Sequence, residues 1–183
     1  MAGRLELIIG PMYAGKSTEL VRIINRFKCL NKSVIVINHS LNNRYDSINL
    51  TTHNKEQIDN CFVLSNLKEL EINNKELFDR TNIIIIEELQ FFKDAFDCIT
   101  KWCDVDNKYV IAAGLDGDFN RNPFGDVLRL IPHADEIKKL TALCKKCGDG
   151  TEAIFTKRIV ASKELQLVGS EDIYEACCRK HYN

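Results

Sequence analysis

Three groups of residues have the types and spacing to do chemistry. The first is Gly10-Pro11-Met12-Tyr13-Ala14-Gly15-Lys16-Ser17, with Thr18 after it. It fits G-x-x-x-x-G-K-[ST], a turn whose backbone N–H groups cradle phosphates. Glycines let the backbone approach phosphate oxygens closely, and the start of the helix that follows attracts an anion. Lys16 then neutralises β/γ-phosphate charge, and the Ser17 hydroxyl can ligate Mg²⁺. The second group is Glu87-Glu88, directly after the apolar run Ile83–Ile86. Phosphoryl transfer needs an acid at such a strand end to hold Mg²⁺, directly or through water. Adjacent strand residues face opposite sides, so one acid can serve the metal while its neighbour takes a proton from a hydroxyl. The third group is Cys144-x-x-Cys147 followed by Cys178-x-x-His181. Four such ligands in two close pairs suit tetrahedral Zn²⁺, and because protein fills every position the ion is structural rather than catalytic. Cys177 with His181 is also a zinc spacing, so spacing alone leaves both cysteines open.

The elements that must position these groups are legible in the hydrophobic pattern. Leu5 to Ile9 is a short apolar run, and Lys16 to Leu30 carries Leu20, Ile23, Ile24 and Phe27 on one helical stripe. Ser33 to Asn38, Asn82 to Ile86 and Lys108 to Ala113 are β-branched runs of the kind found in strands buried on both faces. Phe96, Ile99 and Cys103 mark one face of an intervening helix. This β-α-β alternation predicts an α/β parallel-sheet P-loop domain over 1–132. After Pro132 the pattern changes to short strands around cysteines (138–143, 152–160 and 164–168), which predicts a small, mostly β zinc-binding domain over 133–183. Asn42 to Asn60 lacks any period and reads as a loop. Gly114 to Gly125 (GLDGDFNRNPFG) must be a loop of specific shape.

Composition excludes several classes. The 183 residues are 45% hydrophobic and 28% charged with a formal net charge of −1, so a broad phosphate-binding footprint for nucleic acid is not expected. No apolar run approaches the ~20 residues of a membrane helix. Met1 to Gly10 is too short for a signal peptide before the glycine motif begins. Cysteines in metal-type spacing fit a reducing, cytoplasmic compartment. The remaining four, Cys29, Cys61, Cys98 and Cys103, are expected to be buried as small hydrophobes.

Taken together, seven segments resemble the zinc-containing P-loop thymidine kinases (type II): GPMYAGKSTEL, NRY at 43–45, IEELQFF at 86–92, LDGDFNRNPFG, KLTALCKKC, FTKR and YEACCRKHY. The resemblance implies a RecA-like nucleotide-binding domain with a zinc-binding lasso domain, and a kinase moving the γ-phosphate of ATP to the 5′-hydroxyl of thymidine, with deoxyuridine a possible second substrate. It implies Glu88 as the general base, Glu87 as the Mg²⁺-linked acid with Ser17, and Arg44 near the phosphates. It also implies a nucleoside pocket of Met12, Phe91, Leu115, Phe119, Phe124 and Tyr174, with backbone groups from Leu165, Gln166, Leu167, Val168 and Gly169 at the thymine edge. Aligning Tyr174 places Cys178 and His181 at the metal positions. The family further implies a homo-oligomer, a tetramer favoured, and feedback inhibition by dTTP. Phe92, Phe96 and Phe155 are expected in ordinary packing. Glu87, Leu89 and Asp118 stand where the family usually has Asp, Gly and Thr. Two other readings compete: a P-loop ATPase using water as acceptor, and a zinc-ribbon nucleic-acid module using Lys138, Lys139, Lys145 and Lys146, residues that a solvated face would also explain.

Overall fold

The structure is a computed structural model that describes residues 2–41, 61–161 and 172–183. Six strands form one all-parallel sheet: β1 (Arg4–Ile9), β2 (Val34–His39), β3 (Cys61–Leu64), β4 (Ile83–Ile86), β5 (Tyr109–Gly114) and β6 (Glu136–Lys139), in the order β3-β2-β4-β5-β1-β6. Period-two alternation sends successive residues to opposite faces. Val34, Val36, Ile83, Ile85, Ile111 and Ala113 pack with α1 (Lys16–Cys29) through Leu20, Ile23 and Ile24. Ile35, Ile37, Ile84, Ile86, Val110 and Ala112 face the other way. There they meet α2 (Lys68–Asn73), α3 (Lys75–Arg80) and α4 (Ala95–Asp104), with Leu70, Phe78 and Trp102 among the buried side chains. Every residue of β4 is buried, which explains its unbroken isoleucines.

Three details depart from the sequence expectation. Glu136–Lys139 lies beyond 132 yet pairs with β1 as the sixth strand of the main sheet, so the expected run 138–143 is in fact two elements, β6 and the two-residue β7 (Ala142–Leu143). An edge strand needs few apolar residues, and β6 is mostly exposed. Residues 61–80 form a strand and two six-residue helices that are too short to show a period. Cys29 is exposed at the end of α1, whereas Cys98 is buried and Cys61 and Cys103 half-buried.

Beyond the sheet, β7 pairs antiparallel with β8 (Glu152–Ala153), and β9 (Phe155–Arg158) with β10 (Tyr174–Cys177), followed by the four-residue α5 (Arg179–Tyr182). Their shared core consists of small side chains, Ala142, Cys144, Ala153, Ala176, Cys177 and Cys178. Among the described residues no helix is long and apolar enough to cross a membrane.

Candidate active site

The sheet topology brings the first two sequence motifs together at the carboxyl ends of β1 and β4, where ligands of open α/β sheets collect. A cavity of about 520 Å³ is lined by Met12 through Thr18, by Glu87, Glu88, Gln90 and Phe91, and by Ala113 and Leu115. The glycine motif therefore shares its space with both acids. Gly15 caps α1 in a left-handed conformation with no side-chain hydrogen bond at the cap, leaving the first N–H groups of α1 to an anion. Lys16 Nζ donates to the carbonyls of Pro11 (2.7 Å) and Gly10 (3.2 Å), folded back along its own loop.

Glu87 is buried, and Ser17 Oγ donates to its Oε1. Its other oxygen, Oε2, is buried with no hydrogen-bond partner among the described residues. Burial pushes the Glu87 carboxyl above its ordinary value, the Ser17 hydrogen bond opposes this, the Glu88 charge adds to it, and Lys16 lowers it. A buried carboxylate oxygen without a partner, beside a serine hydroxyl, is a donor set that fits a hard cation such as Mg²⁺. The extra methylene of Glu87 is therefore accommodated, since the side chain reaches Ser17 directly. Glu88 turns the chain with a left-handed backbone (φ 56, ψ 41) into the 3-10 turn Leu89–Phe91. Its Oε2 accepts a 2.5 Å hydrogen bond from Gln90 Nε2. Leu89 is fully buried, and its Cβ packs against Gly114, so the residue that replaces the usual glycine points into the core rather than at a ligand.

The loop 114–125 leaves the carboxyl end of β5, and its Leu115 lines the same cavity. Gly117 bridges Pro123 across it. Asp118 is buried within the turn, its carboxylate accepting from the backbone of Asn120 and Asn122 (both 2.8 Å). The charge that replaces the usual threonine thus staples the loop to itself. At the far end Gly125 has φ +57, and a Cβ there would sit 2.3 Å from the Gln90 carbonyl oxygen. Of the expected nucleoside pocket, Met12, Phe91 and Leu115 line the cavity, and Phe124 packs edge-on to Phe91 with ring centroids 5.7 Å apart. Phe119 and Tyr174 lie outside that lining. The Arg158 guanidinium sits 3.8 Å from the Phe119 ring centroid and donates to the Tyr174 hydroxyl at 2.9 Å. Arg158, which sequence reasoning noticed only as part of FTKR, joins the two. Phe92 is buried, and Phe96 and Phe155 pack partly buried against the cores. Arg44 and Leu165 to Gly169 lie outside the described residues.

The four ligand atoms of Cys144, Cys147, Cys178 and His181 lie within 4.8 Å of one another. A tetrahedron with Zn–S of about 2.3 Å and Zn–N of about 2.0 Å has edges near 3.8 Å between sulfurs and about 3.5 Å from sulfur to nitrogen. Cys147 and Cys178 Sγ are 3.8 Å apart, and His181 Nδ1 is 3.5, 3.3 and 3.5 Å from the sulfurs of Cys144, Cys147 and Cys178. The cluster therefore has the dimensions of a closed zinc site. Cys144 is held down to about 6, first by a backbone hydrogen bond at Cys178, while burial pushes Cys147 up to about 11. The cluster contains Cys178 and not Cys177, whose thiol is buried and pushed up to about 11. Of the lysines considered for nucleic acid, Lys138 pairs with Glu19, Lys139 with Asp116 and Lys146 with Glu175.

The lobe carrying this cluster is tied to both halves of the site. Thr156 Oγ1 of β9 accepts from the Met12 N–H at 2.9 Å. The Tyr13 hydroxyl donates to the Tyr174 carbonyl at 3.3 Å, and the Tyr182 hydroxyl to the Phe119 carbonyl at 2.6 Å.

The family model described as "TK: Thymidine kinase" matches residues 3–182. A protein named "Thymidine kinase" from Oryza sativa subsp. japonica is 39% identical over 182 residues, covering 98% of this chain and 66% of the rice protein. "Thymidine kinase" from Choristoneura fumiferana entomopoxvirus is 40% identical over 184 residues, 98% of this chain and 96% of its own length. "Thymidine kinase" from Monkeypox virus is 38% identical over 184 residues, covering 98% and 97%.

Proposed function

The chain belongs to the thymidine kinase family, and we propose that it moves the γ-phosphoryl group of ATP to the 5′-hydroxyl of thymidine, with Glu88 as the base. The observation that carries this reading is the shared cavity: an anion-binding loop and two adjacent carboxylates line one space. ATP phosphates would lie on residues 10–18, with Lys16 leaving its own loop carbonyls for phosphate oxygens. Ser17 and the unpartnered oxygen of Glu87 would hold Mg²⁺, which supplies charge neutralisation on the phosphates. The sugar end of thymidine would face Glu88, whose carboxylate takes the 5′-OH proton as the hydroxyl attacks in line. Met12, Phe91 and Leu115 would bound the base, with Phe124 behind Phe91. Phe119, Tyr174, Arg44 and the backbone of Leu165 to Gly169 would complete the pocket. Discrimination from deoxyuridine would rest on a methyl-sized space, worth only ~1–3 kcal/mol.

Zn²⁺ on the Cys₃His cluster would shape the lobe that covers the nucleoside, making two units, the sheet and the zinc lobe. A cytoplasmic homo-oligomer, tetrameric and inhibited by dTTP, is the family expectation we carry forward. The test is transfer of labelled γ-phosphate from ATP to a panel of nucleosides by wild type and Glu88→Gln. Thymidine-dependent transfer that falls by about 10²–10⁴-fold in the variant supports the base. Equal rates remove Glu88 from that role, and turnover indifferent to nucleoside returns the chain to the water-using ATPase alternative.

A further inference from the structure

Gln90 is a buried polar residue, 4% exposed, that the phosphate motif, the acids and the zinc site leave without a task. Its amide spans two parts of the site. Nε2 donates to Glu88 Oε2 at 2.5 Å, and Oε1 accepts from the backbone N–H of Leu115 at 3.0 Å. The orientation of this amide follows from its partners. A backbone N–H can only donate, so it requires Oε1, and Nε2 must then face the carboxylate. The site is also built to admit the residue. A Cβ at Gly114 would come within 2.9 Å of Gln90 Oε1, and one at Gly125 within 2.3 Å of the Gln90 carbonyl oxygen. The loop 114–125 therefore begins against the Gln90 side chain and ends against its backbone, while the same amide occupies one oxygen of Glu88 and leaves Oε1 for a hydroxyl proton.

We propose that Gln90 is a positioning residue that fixes the Glu88 carboxylate and couples it to the loop 114–125, so that base and loop are set together. This rests on the reading of Glu88 as base. A donor held against one oxygen removes the carboxylate's torsional freedom. An approach misplaced by about 1 Å costs about 100-fold in rate.

The experiment compares Gln90→Glu and Gln90→Met with wild type and Glu88→Gln, measuring kcat, thymidine KM and the pH–rate profile, with zinc content and Tm as folding controls. Gln90→Glu keeps the size and the acceptor for Leu115 but replaces the donor with an acid. Its kcat should fall about 10–100-fold with thymidine KM within about threefold, and the acid limb of kcat should move to higher pH. Gln90→Met loses both bonds, so kcat should fall similarly and KM rise about fivefold or more. An inactive Glu88→Gln beside a Gln90→Glu with wild-type kcat and an unmoved acid limb would overturn the positioning role alone. A fully active Glu88→Gln would instead overturn the base assignment.

Discussion

Replacing Glu87 by Gln should make the ligand-free protein more stable at neutral pH while slowing the reaction. The wild-type carboxylate is buried, only one of its oxygens has a hydrogen-bond partner among the described residues, and burial raises its pKa. A folded-state value above the unfolded one means that the native chain holds a proton the unfolded chain would release. The stability this gives is full below the ordinary value of 4.5 and is lost as pH rises through the folded value. The amide keeps the acceptor for Ser17 and removes the charge. The amide N–H₂ takes the place of Oε2, so that position stays unsatisfied and only the charge is relieved. The extra cost of burying a charged rather than a neutral group is on the order of 1–3 kcal/mol, and for a chain of 150–250 residues 1 kcal/mol moves Tm by about 2–4 °C. Calorimetry at pH 8 should therefore show Glu87→Gln melting roughly 2–12 °C above wild type, with the gap shrinking toward pH 5. Adding Mg²⁺ and a nonhydrolysable ATP analogue should stabilise wild type selectively, because only the carboxylate gains a counter-charge. A gap of the same size at pH 5 and pH 8 would refute the argument, since it would then owe nothing to ionisation.

Two further outcomes follow from the geometry. Metal analysis should find about one Zn per chain in wild type and Cys177→Ser and little in Cys178→Ser; metal retained by Cys178→Ser would undo the ligand assignment. Gly125→Ala must place a Cβ 2.3 Å from the Gln90 carbonyl oxygen at φ +57, so the loop has to shift. Activity should fall about 10²-fold with zinc content unchanged, and wild-type kinetics would show that the contact is unimportant.

The sequence made the local chemistry legible because it is encoded in contiguous residues. Residues 10–18 need their glycines wherever they occur, and Ile83 to Ile86 can hardly be anything but a strand buried on both faces. The choice between Cys177 and Cys178 needed either the family pattern or coordinates, because both spacings can chelate. Gln90 and Arg158 went unassigned for a different reason. Their partners, Leu115 for one and Phe119 and Tyr174 for the other, are distant in the chain, and no periodicity reports a contact made across a fold. β6 is legible only at its end, within the run 138–143, and its place in the main sheet is not, for want of apolar residues, since an edge strand is held by backbone hydrogen bonds as much as by burial. Asp118, which stands where the family usually has threonine, is spent on its own turn, a contact that no residue type announces.

His181 and Tyr182 are consecutive, yet one belongs to the metal cluster and the other holds the Phe119 carbonyl of the loop 114–125. A single helical turn would thus act as a shared hinge pin: whatever slackened the grip on a bound ion, whether a chelator or oxidation of a thiolate, would also loosen the loop that carries Phe119. A zinc ion on this cluster would take no part in bond-making, and its removal should register as weakened hold on the nucleoside before the sheet itself is disturbed.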